Sequence, residues 1–114
     1  MLYTVFMSKD LNITRLCDAY GALLTEHRLE IIRSYYDYDL SLSEIAENFG
    51  ITRQAALCSV KQAEKQLLDY EAKLKIVESS DRLQAQIDRI LADIDTDVDL
   101  AKKELRQIVA DIIR

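Results

Sequence analysis

Proline is missing from this chain of 114 residues, and glycine occurs only at Gly21 and Gly50. With nothing to lock φ or remove a helical donor, long helices are unobstructed, and an all-α fold follows. No apolar run approaches the roughly 18 residues that span a bilayer, which excludes a transmembrane helix. The opening MLYTVF lacks the basic start and the length of a signal peptide. Residues 1–10 read as a flexible N-terminal extension, with Met7 as an alternative start and residues 1–6 as an upstream addition. Cys17 and Cys58 are lone thiols without CxxC spacing; a reduced, cytoplasmic protein is the plain reading. His27 is the single histidine and has no Cys or second His nearby, which argues against metal binding or acid–base chemistry. There is no phosphate-cradling glycine loop and no nucleophile–base constellation. The chain is therefore expected to be no enzyme, with no cofactor, no metal and no small-molecule substrate.

Positive charge is also scarce. The chain carries 15 Lys and Arg against 20 Asp and Glu, a net of −5. Residues 1–77 account for −2 of this and residues 78–114 for −3. Such a balance argues against a strong nonspecific nucleic-acid binder, because most DNA affinity comes from neutralising phosphates. A single weak reader would need a dimer, a partner or a narrow basic face.

What the chain does have lies at residues 41–65, SLSEIAENFGITRQAALCSVKQAEK. Ser41 and Glu44 have capping-box spacing: the hydroxyl takes one free backbone N–H and the carboxylate returns to another. Leu42, Ile45, Ala46 and Phe49 then share one helical face. Gly50 can take positive φ and turn the chain sharply. Thr52 caps a second helix that opens with Arg53 and Gln54. A short helix, a glycine turn and a polar-fronted helix make a helix-turn-helix unit, whose second helix can enter a DNA major groove. Ala46 belongs at the helix crossing, with Ile51, Ala56 and Val60 packing back on Ile45 and Phe49.

Around this unit the apolar spacing predicts further helices. Residues 11–24 form a first helix with Leu16, Tyr20, Leu23 and Leu24 inside; Gly21 lets another helix approach closely. Thr25 caps a second helix that runs to about Tyr36, followed by a connector at residues 37–40. Ala56, Val60, Ala63, Leu67, Tyr70, Leu74 and Val77 then recur at spacings of four and three, a heptad seam through three repeats. Beyond Leu67 this seam outruns the small bundle and asks for a partner, either the tail or another subunit. Ser79-Ser80-Asp81 offer a break and a cap. Two amphipathic stretches follow, through Leu83–Ile94 and Ala101–Ile112, in an acidic tail. The architecture expected is a helix-turn-helix bundle at 11–77 with a long fourth helix, and a two-helix tail at 78–114 that packs back or dimerises.

At 100° per residue, Gln54, Cys58, Lys61 and Lys65 project opposite the buried seam, with Arg53 at the front end. Gln can read adenine with both amide groups, Arg can read guanine or grip phosphate, and lysines suit phosphates. The same face also fits an ordinary solvated helix surface. Leu57 and Cys58 suit either thymine-methyl contact or a protein surface. Tyr35, Tyr36 and Tyr38 could stack on bases, yet beside Ile31 and Ile32 they read as core or edge packing. Asp93, Asp95, Asp97, Asp99 and Glu104 imitate calcium-loop spacing, but Val98 stands where that loop needs glycine. A solvated acidic connector is the reading.

From Tyr20 to Leu74 the chain resembles the YlxM family of small bacterial helix-turn-helix proteins. The run YGALLTEHRLEIIRSYYDYDLSLSEIAENFGITRQA carries the Tyr-x-x-Leu-Leu-Thr entry, the Tyr-Tyr pair, Ser-Leu-x-Glu-Ile-Ala and Arg-Gln-Ala, and KQAEKQLLDYEAKL matches the helix that follows. The resemblance implies a fold like region 4 of bacterial sigma factors and a link to the signal recognition particle, beside whose genes those of the family lie. Carried over, the contact residues would be Arg53, Gln54, Lys61 and Lys65. The chain departs at Ala56-Leu57-Cys58-Ser59, where the family usually has Val-Tyr-Asp-Asn, and the tail after Val77 is outside the resemblance. Three readings stay open: a DNA-binding regulator, homodimeric through residues 67–114; an adaptor that meets protein or RNA of the signal recognition particle; and a purely structural dimer.

Overall fold

The computed structural model describes residues 11–112, so the expected N-terminal extension at 1–10 and the alternative start at Met7 lie outside the described residues. Six α-helices are present: α1 (Leu11–Tyr20), α2 (Glu26–Tyr36), α3 (Leu42–Phe49), α4 (Arg53–Leu74), α5 (Ile76–Asp93) and α6 (Val98–Ile112). No strand occurs among the described residues. The chain divides into two compact units, Met1–Val77 and Glu78–Arg114.

In the first unit α4 is the hub, packed on α1, α2 and α3. Its seam serves two clusters in turn. Ala56 and Val60 join Ile31, Ile45 and Ala46, with Phe49 and Ile51 at the edge. One turn on, Ala63 and Leu67 join Ile13, Leu16, Cys17, Tyr20, Leu24 and Ile32. The adjacent residues Ile31 and Ile32 thus tie α2 into both clusters, and neither is exposed at all. Each such side chain contributes about 1.5–3 kcal/mol by leaving water. Together they fix where α4 lies and which side of it stays bare.

Three expectations need correction. The first helix does not run to residue 24. It ends at Tyr20, and Gly21–Leu23 form a single 3-10 turn closed by Leu24 N–H to Gly21 O at 3.0 Å. A Cβ on Gly21 would stand 3.0 Å from Leu29 Cδ1, so glycine admits α2 at close range here. The tighter turn swings Leu23 outward, leaving it 53% exposed rather than inside.

Second, the helix break falls at Lys75, which takes a left-handed conformation (φ 54°), and not at Ser79-Ser80-Asp81, which lie within α5. The cause is tertiary. The Tyr20 hydroxyl donates to Glu71 and accepts from Ile76 N–H at 3.0 Å, while Glu71 Oε1 accepts from Val77 N–H at 3.0 Å. These groups satisfy N–H donors that a helix start leaves open. Third, the seam past Leu67 does not wait for an outside partner throughout: Tyr70 and Val77 pack on the α1 cluster, and only Leu74 of this stretch is largely bare.

The second unit is a helical hairpin. Asp93 O accepts from Thr96 N–H at 3.0 Å and Asp97 N–H at 2.8 Å, and Asp97 Oδ1 accepts from Leu100 N–H at 3.0 Å. The acidic run therefore closes α5 and caps α6. Asp99 and Glu104 are on α6 itself, and among the described residues no cluster of three His, Cys, Asp or Glu side chains could hold a metal. Ile90 and Ala101 are its buried residues.

Candidate nucleic-acid interface

The helix-turn-helix geometry is built from short-range chemistry. Ser41 Oγ accepts from Glu44 N–H at 3.0 Å, and Glu44 Oε1 accepts from Ser41 N–H at 2.8 Å. Both halves of the capping box are present, and α3 begins there. Gly50 ends it at φ 67°, ψ 36°. A Cβ built on Gly50 would meet nothing within 4 Å, so the need for glycine is conformational, not steric. Ile51 N–H reaches back to Ala46 O at 3.0 Å, which seals the turn. Thr52 Oγ1 accepts from Ala55 N–H at 3.0 Å and opens α4. Ala46, at 9% exposure, sits in the cluster shared by the two helices.

All five predicted contact residues, Arg53, Gln54, Cys58, Lys61 and Lys65, are exposed on α4. Gln54, Cys58, Lys61 and Lys65 line up opposite the buried stripe of Ala56, Val60, Ala63 and Leu67, and Arg53 stands at the helix start. The charges differ in availability. Lys61 Nζ lies 3.8 Å from Glu64 Oε1, and Lys65 Nζ lies 3.2 Å from Asp69 Oδ2. Glu64 is itself held by the Tyr36 hydroxyl, which donates to it. The Arg53 side chain makes no hydrogen bond or ion pair among the described residues. The face is thus a polar stripe with little net positive charge.

Sequence reasoning missed Arg28. Its guanidinium donates to Gln62 at 2.8 Å and Gln66 at 2.6 Å, bracing α2 against the flank of the stripe. A pair of glutamines four apart on a helix, matched to an arginine on a neighbouring helix, was the signal available. His27 is exposed in the first turn of α2, and its ring meets Phe49 edge-on at 5.5 Å. Tyr35 and Tyr36 are half-buried and edge-to-face at 5.1 Å, while Tyr38 is 70% exposed. Burial pushes the Cys17 thiol up to about 11, whereas Cys58 lies in the open on the stripe.

This helix-turn-helix frame has relatives. The profile of the UPF0122 family, described as "Putative helix-turn-helix protein, YlxM / p13 like", matches residues 7–111. The chain belongs to this family. The match extends through α5 and α6, so the hairpin falls inside the family's span and not beyond it, as the shorter resemblance had implied. A UPF0122 protein of Clostridium acetobutylicum is 46% identical over 76 residues, which is 67% of this chain and 66% of that protein. One from Clostridium botulinum is 38% identical over 98 residues, 86% of this chain and 90% of the relative. One from Clostridium perfringens is 34% identical over 110 residues, 94% and 98% of the two chains. No helix among the described residues of this UPF0122 chain is long and apolar enough to cross a membrane.

Proposed function

We propose that this UPF0122 protein is a cytoplasmic, non-enzymatic DNA-binding regulator that acts as a homodimer. Arg53, Gln54, Cys58, Lys61 and Lys65 are its contact face. The observation that carries the reading is the bare polar stripe of α4, set behind a left-handed turn at Gly50 and rooted in two apolar clusters. A recognition helix in a major groove presents its N-terminal residues to base edges, and Arg53 and Gln54 are the residue types that read guanine and adenine. The ion pairs of Lys61 and Lys65 do not oppose this. An exposed i,i+4 pair such as Lys65–Asp69 is worth only about 0.3–0.5 kcal/mol, and Lys61 is itself exposed and 3.8 Å from Glu64, so a phosphate can take either lysine.

In a mobility-shift assay at low salt, DNA is retarded and the affinity falls as salt rises. Arg53→Ala and Lys61→Ala each weaken binding, and Gln54→Ala relaxes sequence preference. Failure of every DNA sequence to shift at low salt overturns the reading. The acidic total favours one other function, an adaptor that brings the same helices to protein or RNA of the signal recognition particle. That version is tested by co-purification of the full chain with particle components, and their absence removes it.

A further inference from the structure

The hairpin of α5 and α6 leaves apolar side chains bare. On α5, Ile87 and Leu91 are 38% and 61% exposed; on α6, Val98, Leu105, Val109 and Ile112 are 51%, 45%, 56% and 68% exposed. At 100° per residue the bare stripe stands roughly 80° round from the packed seam on each helix. The seam itself runs through Leu83, Gln86 and Ile90 on α5, and through Ala101, Glu104 and Ile108 on α6. The helices are antiparallel: Arg89 meets Glu104 at 3.9 Å near the turn, and Leu83 shares a cleft with Ile108 and Ile112 toward the open end. In an antiparallel pair the two rotations bring both stripes to the same side. The hairpin therefore carries one continuous apolar face. A monomer rarely leaves open a contiguous apolar patch larger than roughly 300–600 Å². A unit of fewer than roughly 40 residues seldom holds a core without oligomerising.

We propose that this face docks a second copy of the same chain, so that two hairpins close a four-helix bundle. This deepens the homodimeric reading above by naming its surface and register. Charge at the edges of the face selects both the occupant and its orientation. Going outward from the stripe, the α5 edge carries Asp81 and Asp88, and the α6 edge carries Asp99 in its first turn and then Lys102 and Arg106, so that its middle is basic. Lys102 and Arg106 make no ion pair among the described residues. With Arg89 level with Glu104, Asp88 stands level with the turn of α6 between Lys102 and Arg106. A two-fold axis parallel to the helices keeps these levels and lays α5 of each copy on α6 of the other. Acidic edge then meets basic edge twice. Turning the axis by a right angle sets like on like, which is unfavourable. A nucleic acid or an anionic lipid surface would meet a hairpin of net charge −3 over residues 78–114.

The test is sedimentation equilibrium of the full chain without nucleic acid. Twice the 13.1 kDa chain mass is expected. The paired change Leu91→Lys with Val109→Lys is expected to weaken the dimer about a hundredfold or more while helicity stays native. As a second arm, Asp88→Lys weakens the dimer, as does Lys102→Asp with Arg106→Asp, and combining the three restores it. A wild-type chain that stays monomeric at high concentration overturns the proposal, as does a dimer untouched by the Leu91 and Val109 changes. A dimer whose charge variants show no rescue overturns the register. A dimer that never shifts DNA leaves the docking face standing and overturns the DNA reading alone.

Discussion

Cys17 and Cys58 are the same residue in two environments. Cys17 is 1% exposed, and burial raises its thiol to about 11, with Arg33 pulling the other way. Its thiolate is scarce at neutral pH, so a maleimide should label Cys58 in the native chain and Cys17 only after denaturation, as peptide mass mapping would show. The Tyr20 hydroxyl is also pushed above its ordinary value, first by burial and then by the Glu71 carboxylate it donates to. The Arg33 guanidinium is raised chiefly by its bond to Asp37. In every case the folded state holds the proton more tightly than the unfolded chain. Stability should be level from neutrality to about pH 9 and fall from there to about pH 11, as Cys17 loses its proton first in the unfolded state. Urea midpoints across that range check the sign, and Cys17→Ala should flatten the first part of the decline. Gly50→Ala should cost about 1 kcal/mol in thermal unfolding, because φ is 67° and nothing crowds the site.

At the scale of the element, α4 shows how one helix takes its limits from different sources. Its start is local: Thr52 and the Gly50 turn are written in adjacent residues, and the structure has both. Its end is not. Lys75 turns left-handed in a stretch with no glycine or proline, because Tyr20 and Glu71 reach the first N–H groups of α5. Tyr20→Phe should therefore lower the urea midpoint and speed amide exchange at Ile76 and Val77, with the exchange of α3 unchanged. Lys75→Gly should stabilise the chain, since glycine takes that conformation without the Cβ penalty. Leu67, fully buried where α4 crosses the α1 cluster, should cost about 2–5 kcal/mol when cut to Ala, by loss of transfer energy and a cavity.

For the whole molecule the governing quantity is charge. A net of −5, with three cations on the exposed stripe of α4, leaves little long-range attraction for DNA. Each phosphate neutralised on duplex DNA contributes about −0.9 to the slope of log affinity against log salt. On the proposed DNA reading, Arg53, Lys61 and Lys65 would set a slope of about −2.7 per chain and about −5.4 for two chains bound together. A much steeper slope would mean that cations outside this face reach the phosphates. If two chains pair as proposed, two weak readers held by one bundle would gain affinity by effective concentration rather than by new contacts, which ties the proposed hairpin face to the proposed role of α4.

The sequence by itself determined the all-α class, the capping box at Ser41 and Glu44, the turn at Gly50 and the exposed side of α4. Those depend on spacings within a few residues, where capping and 3.6-residue periodicity act. Tertiary structure alone decided that α1 stops at Tyr20, that α4 breaks at Lys75 and that Arg28 clasps Gln62 and Gln66. It also decided that the seam beyond Leu67 is covered from α1. The end of α1 rests on the close approach of α2 at Gly21, and each of the others needs a group far along the chain to fill a valence or a volume, which no local pattern records. Tyr20 is the clearest instance: its helical spacing marks it as a core residue, but only the folded chain brings its hydroxyl to the N–H of Ile76.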